Sequence, residues 1–292
     1  MPQLAVIGSL NRDTILRVPH QPQPGETVAA SGRSEVSGGK GANQAVAAAR
    51  LGADTLLIGC VGDDPAGEAI LTDLAEVDRL TLAVDRLSDT PTGSALITVS
   101  DDGENSIVVH AGANAAVDAA CVARHRSVTD ADFTLMQLET PVEAIAAAAD
   151  AGARLVLDPA PAIPIAEALL RRVSILSPNQ SEAAVLVGGA EAEVQAAELH
   201  RRYGCHVAMK RGAEGAFWLD QNGPVASPAL PVEVVDTTAA GDTFTAALAV
   251  ALAEGHSPQD ALWFACVAGS LATTRAGAIP SIPTRAEVDA RL

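Results

Sequence analysis

The sequence predicts an α/β protein with a mostly parallel central sheet. Short runs of Val, Leu and Ile alternate along the chain with alanine-rich stretches of helical length. Alternation of this kind is typical of βαβ units, in which helices pack on the faces of a sheet. The chain has 292 residues and is 48% hydrophobic but only 2% aromatic, so a large core must be built from Ala, Val, Leu and Ile.

Six apolar runs are predicted as strands of this sheet: Leu4–Gly8, Thr55–Val61, Phe133–Leu138, Arg154–Leu157, Val173–Leu176 and Val207–Met209. Helices are predicted between and after them, near residues 42–51, 66–76, 118–126, 141–151, 162–171, 181–187, 191–203, 240–254 and 258–274. Pro258 suits the first turn of the last helix, where its missing N–H costs nothing.

Two segments, residues 11–36 and 88–110, break the alternation. The second places Ala95–Ser100 and Ser106–His110 around an Asp-Asp-Gly turn, which indicates a β-hairpin. The first holds Pro19, Pro22 and Pro24, and so is predicted as loop and edge strand. Neither segment is long enough to fold alone. We therefore expect one domain over residues 1–292, from whose edge these two segments project as a small antiparallel layer.

The formal net charge is −17, which argues against nucleic acid or an anionic membrane as a partner. No basic leader precedes the first apolar run, and no apolar run reaches the roughly 20 residues of a membrane span. The four cysteines are widely spaced and form no C-x-x-C pair, which is typical of reduced, buried thiols. These observations predict a cytoplasmic protein.

The segment Ser37–Gln44 is the first candidate site. Three glycines let a backbone approach a ligand closely, and the helix that follows offers free N–H donors. It is not a Walker A loop, because Gly41 follows Lys40 where Ser or Thr is required. A glycine turn that caps a helix explains the pattern equally well. Lys40 and Asn43 favour a site for hydroxyl groups.

The segment Val235–Phe244 is the second candidate. Small residues lead into a long helix near Ala240, whose first N–H groups would form an anion hole. Phosphoryl transfer needs such donors, and it also needs a base beside the attacking hydroxyl, a role that Asp242 could fill. A carboxylate that merely complements the helix dipole is the alternative, and spacing alone favours it.

Polar residues at the ends of other strands complete the candidates. Asn179 and Glu182 begin a helix; they could lie near a metal-bound phosphate, or they could form only a capping box. Asn11, Asp13 and Glu139 follow two predicted strands, at the edge where open parallel sheets bind ligands. Carboxylates there could hold several sugar hydroxyls, although turn chemistry would also explain Asn and Asp.

Taken together, these segments resemble the pfkB carbohydrate kinase family, and within it the kinases of ribose. The resemblance follows the family order over nearly the whole chain. The paired Gly-Gly-Lys-Gly-Ala-Asn-Gln and Ala-Ala-Gly-Asp-Thr-Phe segments are its most specific part. The matching stretches are Gly8–Asp13, Pro24–Thr27, Gly38–Ala47, Gly59–Asp64, His110–Ala115, Met136–Pro141, Pro178–Glu182, Asp236–Phe244 and Thr274–Pro283.

The resemblance implies a three-layer α/β/α fold with a β-lid that pairs two subunits into a homodimer. It implies ATP-dependent phosphorylation of D-ribose at the 5-hydroxyl, with Asp242 as the base and Ala240 and Gly241 as the anion hole. The sugar site would be Asn11, Asp13, Gly39, Lys40, Gly41, Asn43 and Glu139. Nucleotide contacts would come from Asn179, Lys210, Arg211, Gly212, Ala213, Glu214, Gly215, Gly241 and Cys266, with Glu182 linked to Mg²⁺. A potassium loop would comprise Asp236, Thr238, Ala272, Arg275, Gly277 and Ser281.

The sequence departs from the family pattern at three positions. Lys210 and Arg211 stand where some members carry an uncharged pair, and Cys266 stands where others place His or Asn beside the adenine. The selectivity for the nucleotide base is therefore less well determined than the phosphate chemistry. Deoxyribose or another small sugar is the alternative substrate. A nucleoside kinase is disfavoured, because the two lid segments hold no aromatic side chain to stack a base. A sugar-binding regulator without activity is the remaining alternative, and the intact Gly241-Asp242 pair argues against it.

Overall fold

The computed structural model describes residues 1–125 and 130–292, and it confirms the α/β class. Within these described residues, nine strands form the main sheet, in the order β13-β12-β11-β10-β9-β8-β1-β4-β5. Its strands are β1 Gln3–Ile7, β4 Asp54–Gly62, β5 Leu80–Leu87, β8 Phe133–Met136, β9 Leu155–Leu157, β10 Ile175–Leu176, β11 His206–Lys210, β12 Ala216–Asp220 and β13 Gly223–Ser227. The first seven in chain order pair in parallel, and β12 and β13 continue the sheet antiparallel.

Helices cover both faces of this sheet, as the sequence predicts. They are α1 Lys40–Arg50, α2 Pro65–Ala75, α3 Ala119–Arg124, α4 Val142–Asp150, α5 Glu167–Leu170, α6 Gln180–Val187, α7 Ala192–Tyr203, α8 Ala240–Ala253, α9 Pro258–Ala272 and α10 Arg285–Asp289. One apolar layer is dominated by alanines of α1, α8 and α9, and the other packs α3, α4, α6 and α7 on the opposite face. Alanine-rich helices lie close to the strands, which explains how a core with so few aromatic residues is filled.

Most predicted elements match the structure within a few residues, and four were missed. The sequence prediction did not include strands β5, β12 and β13 or the short helix α10. The helix predicted at 162–171 is reduced to Glu167–Leu170, because prolines 161 and 164 disfavour helix in the first half. The helix predicted at 118–126 is present as Ala119–Arg124, and its last predicted residue lies outside the described residues.

The two segments that break the alternation form a second, four-stranded sheet. Its order is β3-β2-β6-β7, with β2 Asn11–Val18, β3 Gly32–Gly38, β6 Ser94–Ser100 and β7 Asn105–His110. The expected hairpin is β6–β7. Two expectations were wrong: the layer is mixed rather than antiparallel, because β2 runs parallel to β6, and β2 is an inner strand. The prolines lie in the 19–31 loop after β2, so they leave its ladder intact.

No helix in the described part of the chain is long and apolar enough to span a membrane. All four cysteines are buried, and none of them forms a disulfide bond.

Candidate active site

The N-terminus of α1 is held against the end of β1 by a contact that only glycine permits. Gly39 precedes the helix with a φ of 90°, and a Cβ there would lie 2.8 Å from the Ser9 carbonyl oxygen. A Cβ on Gly41 would lie 2.4 Å from the backbone of Gly8. Positive φ and this close approach both exclude larger side chains. The glycines therefore bring the first turn of α1 to the carboxyl end of β1.

Asp242 lies in the first turn of α8 and is almost completely buried, at 5% exposure. Its two carboxylate oxygens accept separate hydrogen bonds from α1. Asn43 Nδ2 donates to Oδ2 over 2.9 Å, and Gln44 Nε2 donates to Oδ1 over 3.1 Å. The two most specific sequence segments thus meet at this carboxylate, and its side chain does more than complement the helix dipole.

Two features of the α8 N-terminus would suit a bound anion. Ala239, immediately before the helix, has a left-handed φ of 61°, which is uncommon for a residue with a Cβ. The first N–H groups of a helix have no intrahelical partner, and the helix dipole adds partial positive charge there. Gly241 supplies such a group, whereas the Ala240 N–H donates to the Thr237 carbonyl oxygen over 3.3 Å. A Cβ on Gly241 would come within 3.6 Å of Lys210 Nζ, so the lysine ammonium lies beside the same turn.

Lys210 and Asp158 form a buried ion pair that continues the network. Lys210 Nζ donates to Asp158 Oδ1 over 2.8 Å and lies 3.9 Å from Glu182 Oε2. Gln44 Nε2 also donates to Asp158, over 3.1 Å, which links the pair to Asp242. Burial raises the pKa of Asp158 to about 6, opposed by the charges of Lys210 and Lys40. The Lys210 ammonium group in this part of the site therefore lies beside the carboxylates of Asp158 and Glu182.

Lys40, at the start of α1, is influenced by four carboxylates, those of Asp242, Asp158, Glu139 and Glu182. The Asp242 charge is the largest influence and raises the pKa of Lys40 above its ordinary value, against the effect of burial; Asp158 and Glu139 act in the same direction. The backbone N–H of Lys40 donates to Glu139 Oε2 over 3.0 Å, and the Ser9 hydroxyl donates to the same oxygen. Glu139 and the Ser37–Gln44 segment are therefore joined, as the sequence predicts.

Asn11 and Asp13 enter the site from β2, at the base of the four-stranded sheet. Asn11 Oδ1 accepts from Asn114 Nδ2 over 2.7 Å. Burial and the nearby Glu139 charge raise the pKa of Asp13 to about 6, against a hydrogen bond from the Ala95 backbone. Asp13 Oδ1 and Asn43 Oδ1 are both buried without a hydrogen-bond partner among the described residues. Native structures rarely leave buried acceptors unsatisfied, so these atoms indicate where ligand hydroxyls would donate.

Asn179 and Glu182 form the capping box that the sequence left open as an alternative. The Glu182 N–H donates to Asn179 Oδ1, and the Glu182 carboxylate accepts from the Asn179 backbone N–H over 2.7 Å. Glu182 is nevertheless 8% exposed and close to Lys210. Structural and functional interpretations are therefore compatible at this position.

A largely apolar cavity of about 400 Å³ opens beside Gly241. The turn at Gly212–Glu214, the loop at 229–234 and helices α8 and α9 enclose it. Its lining includes the predicted nucleotide residues Lys210, Gly212, Ala213, Gly215, Gly241 and Cys266. Its size and apolar walls suit a nucleoside, whose phosphates would extend towards the α8 N-terminus.

The remaining predicted nucleotide residues do not line this cavity. Arg211, Glu214 and Asn179 line an adjoining, more open depression, which shares Lys210 and Gly212 with the cavity. Arg211 forms ion pairs with Glu193 and Glu214, so its charge is already neutralised.

The predicted potassium loop is built around Asp236. Its Oδ1 accepts from the N–H and hydroxyl of Thr238, and Oδ2 accepts from the Gly277 N–H over 2.8 Å. Burial opposes ionisation, yet these hydrogen bonds lower the pKa of Asp236. Ala272 ends α9, next to Thr273, whose carbonyl accepts from the Asp236 N–H. Arg275 pairs with Glu287, and the Ser281 hydroxyl donates to the Ala278 carbonyl, so neither side chain contacts Asp236.

Four residues of the site were missed by sequence reasoning. They are Gln44, whose side-chain amide donates to Asp242, and Asp158, Gln137 and Asn114. Asp158 follows β9 directly, so its place at the carboxyl edge of the sheet was an available signal. Gln137 donates to Gln44 Oε1 over 2.6 Å and thereby orients that amide towards both carboxylates. Asn114 lies in a 3₁₀ turn that no periodic pattern indicates.

The family model of the pfkB carbohydrate kinases matches residues 1–285. The chain belongs to this family. It is therefore a carbohydrate kinase, a phosphotransferase. It is 38% identical to the ribokinase of Haemophilus influenzae over 97% of this chain and 96% of the relative, and 38% identical to that of Bacillus subtilis over 99% of both.

Solved structures of family members superpose over the same length. The Thermotoga maritima ribokinase covers 99% of both chains with a TM-score of 0.92 at 34% identity. The Arabidopsis thaliana ribokinase, solved with ribose and ATP, gives 0.88 at 35% identity over 99% of this chain and 98% of that one. These likenesses confirm the family and the fold that the paired glycine-rich segments predicted.

Proposed function

We propose that this kinase transfers the γ-phosphoryl group of ATP to the 5-hydroxyl of D-ribose, giving D-ribose 5-phosphate and ADP. The observation that carries the proposal is the position of Asp242. This buried carboxylate lies between an anion-binding helix N-terminus and a cluster of polar groups with unsatisfied acceptors. The names of the relatives support ribose as the sugar.

Asp242 would act as the general base. The ribose 5-hydroxyl donates its proton to the carboxylate as its oxygen attacks the γ-phosphorus, and the bond to the ADP oxygen breaks. Hydrogen bonds from Asn43 and Gln44 hold the carboxylate in place without using all of its acceptor capacity. The N–H group of Gly241, with Lys210, would stabilise the charge on the phosphoryl oxygens.

The polar groups around Lys40 would hold the sugar. Asp13 Oδ1 and Asn43 Oδ1 would accept from ribose hydroxyls, and Asn11, Glu139 and the Gly39–Gly41 backbone complete the set. Each buried acceptor that gains a donor removes a desolvation penalty of about 1–3 kcal/mol, which favours a polyhydroxylated ligand over an apolar one.

A panel of pentoses and hexoses in a coupled ADP-release assay tests the choice of sugar. Ribose should give the highest kcat/KM, and 5-deoxyribose, which lacks the acceptor hydroxyl, should bind without turnover. A higher kcat/KM for 2-deoxyribose than for ribose would identify 2-deoxyribose as the substrate instead. A higher value for a nucleoside would contradict it.

Replacing Asp13 by Asn is expected to raise the stability of the protein and to lower its activity towards ribose. Because the folded pKa of Asp13 is raised to about 6, its contribution to stability is present at low pH and is lost as pH rises through 6. Asp13→Asn should therefore raise the melting temperature relative to wild type at pH 8 but hardly at pH 4. The same change should lower kcat/KM for ribose about 10- to 100-fold, since a hydrogen bond to a charged acceptor is lost.

Differential scanning calorimetry at the two pH values and steady-state kinetics measure both effects. A melting temperature shift that does not depend on pH would show that Asp13 ionisation does not limit stability. Unchanged kinetics would remove Asp13 from the sugar site.

Mg²⁺ fits the phosphate side of this site. The donors there are carboxylate oxygens, which a hard cation prefers, and Mg²⁺ commonly keeps several of its waters. Both Glu182 oxygens accept from Asn179, so Glu182 would hold a Mg²⁺-bound water rather than the ion itself. The ion would neutralise charge on the ATP phosphates.

A potassium ion fits the loop around Asp236. The Ala272 carbonyl lies at the end of α9, just beyond those of Ser270 and Leu271, which accept from the N–H groups of Thr273 and Thr274. Such oxygen donors suit a hard monovalent cation. Asp236, Thr238 and Gly277 fix the loop by hydrogen bonds, while Arg275 and Ser281 would contribute backbone oxygens.

We predict that replacing K⁺ by Na⁺ or choline at constant ionic strength lowers kcat, because the loop leads directly into the anion-binding turn. Asp236→Ala should abolish this cation dependence as well as lower the activity. Initial rates measured with the three chloride salts test the prediction. Equal rates in all three would exclude a potassium site at this loop.

The four-stranded sheet would serve as a lid over the sugar and as the contact surface of a homodimer. Its edge strand β7 is exposed throughout, and Ile107, Val108 and Val109 are each more than half exposed. Leu96, paired with Val108 across the strands, extends the apolar surface. Unpaired edges with apolar side chains are sites of association.

We predict that Val108→Glu produces a monomer, since the charge cannot be buried in an apolar interface. Val194→Glu is the matched control, because Val194 is 63% exposed on α7, outside the lid. Size-exclusion chromatography with light scattering gives the mass of each. A wild-type monomer, or a dimer that survives Val108→Glu, would contradict the proposed interface.

The cytoplasm is the proposed location of the protein, supported by its four free, buried thiols.

A further inference from the structure

Three potential metal ligands meet on the opposite face of the sheet from α1 and α8. Cys60 of β4 and Asp85 of β5 are directly paired in the parallel ladder, so their side chains lie on the same face. Cys121 of α3 packs onto that face. The two sulfur atoms and a carboxylate oxygen all lie within 4.8 Å of one another. Two strands and a helix therefore fix the three donors in the folded protein.

The two thiols are shielded from solvent, and the carboxylate is not. Cys60 is 1% exposed and Cys121 is 0% exposed, whereas the Asp85 side chain is 33% exposed. Asp85 therefore marks the side of the cluster that faces solvent. None of the three side chains belongs to the hydrogen-bond network around Asp242 in the described part of the chain, so the kinase reaction does not explain their grouping.

Arg124, three residues after Cys121, forms an ion pair with Asp85 across the mouth of the cluster. Carboxylates that bind metals are commonly oriented by such a second hydrogen-bond partner. The charges also balance. Two thiolates and one carboxylate carry three negative charges, which a divalent ion and the Arg124 guanidinium neutralise together. An ion at this position would leave no net buried charge.

We propose that Cys60, Cys121 and Asp85 bind a thiophilic divalent metal ion of the Zn²⁺ class, with water at the fourth position. Tetrahedral bonds of about 2.3 Å to sulfur place two thiolates about 3.8 Å apart, and the donor atoms of the cluster lie within 4.8 Å of one another, so binding would draw them together by at most about 1 Å. Thiolate ligands select Zn²⁺ over Mg²⁺, which prefers oxygen alone. On binding, both thiols release their protons to solvent and two metal–sulfur bonds form. The site joins β4, β5 and α3, and its occupation stabilises that layer.

Cobalt is the probe for the test, because Co²⁺ bound to thiolate gives a charge-transfer absorption that Co²⁺ on oxygen ligands does not. Reduced, metal-free full-length protein titrated with Co²⁺ should develop this band with one equivalent, and Zn²⁺ should displace it. Zn²⁺ should also raise the melting temperature. Cys60→Ser and Cys121→Ser should abolish the band, while Cys205→Ser, which alters a buried thiol elsewhere in the same apolar layer, should retain it.

Two surface variants keep the test valid if a cysteine variant fails to fold. Asp85→Asn should weaken Co²⁺ binding, and Arg124→Gln should weaken it about 10-fold through loss of the outer partner. The proposal is overturned if reduced wild-type protein shows no stoichiometric charge-transfer band, or if the band persists in Cys121→Ser. Absence of binding together with a Cys60–Cys121 disulfide in the unreduced protein would make the cluster a redox pair instead.

Discussion

Asp242→Asn should lower kcat by about 10²- to 10⁴-fold while ribose still binds. This is the usual contribution of a positioned general base. The amide cannot accept the proton of the 5-hydroxyl, but it nearly preserves the shape of the side chain. One of its atoms must face a donor from Asn43 or Gln44, so one of those amides has to reorient. We therefore expect a modest loss of stability with a much larger loss of turnover.

Asp260→Asn is the matched control. Asp260 is also a carboxylate in the first turn of a helix, α9, but it lies beside the cap residue Ser257 at the surface. If Asp242 served only the helix dipole, the two variants would behave alike. We expect Asp260→Asn to leave kcat unchanged. ADP-release kinetics, ribose titration calorimetry and thermal unfolding separate the effects, and near-normal turnover of Asp242→Asn would exclude it as the base.

The residues around Asp242 were largely predictable, because two short motifs carry them. Gly39 and Gly41 are required because the backbone of Ser9 and Gly8 comes too close for a Cβ. Asn43 and Asp242 lie at fixed distances along the sequence from the starts of their helices. Asp158 was not predictable in this way. It stands alone after a three-residue strand, and its role depends on Lys210 and Gln44, which lie 52 and 114 residues away. Contacts over such separations leave no periodic pattern in the sequence.

In the fold as well, features set by the local sequence were predicted, and features set by contacts between distant residues were not. Parallel inner strands are apolar runs and were found, whereas β5 at the sheet edge alternates with Thr, Asp and Arg and was missed. The hairpin β6–β7 has a local turn signal. The parallel pairing of β2 with β6 joins residues about 80 positions apart, and only the tertiary structure fixes it. Arg211 likewise has the sequence context of a phosphate ligand, but its ion pairs with Glu193 and Glu214 neutralise it.

Lys210→Met should lower kcat/KM for ATP by about 10²- to 10³-fold, the usual loss when a preorganised electrostatic donor is removed. Lys210 Nζ lies beside the α8 N-terminus and lines the nucleotide-sized cavity. Methionine keeps most of the length and packing of the side chain. Arg211→Met is the matched control: it removes an equal charge at the next position, but from a residue that is already paired, and should change the kinetics little.

Lys210→Met also breaks a buried ion pair, so its effect on stability has to be separated from its effect on catalysis. The Asp158 side chain is 2% exposed, and removing only one partner of such a pair typically costs about 3–5 kcal/mol. Without the lysine charge the pKa of Asp158 rises further above 6. Its contribution to stability, present at low pH, is then lost at a higher pH than in wild type.

The double variant Lys210→Met/Asp158→Asn resolves the two effects, because it removes the unpaired charge as well. Its melting temperature should recover towards wild type, while its kcat/KM for ATP should stay low, since no cation faces the phosphates. Recovery of both would show that Lys210 acts only by holding Asp158, and the stabilisation of phosphoryl charge would then fall to the α8 N-terminus and Mg²⁺ alone.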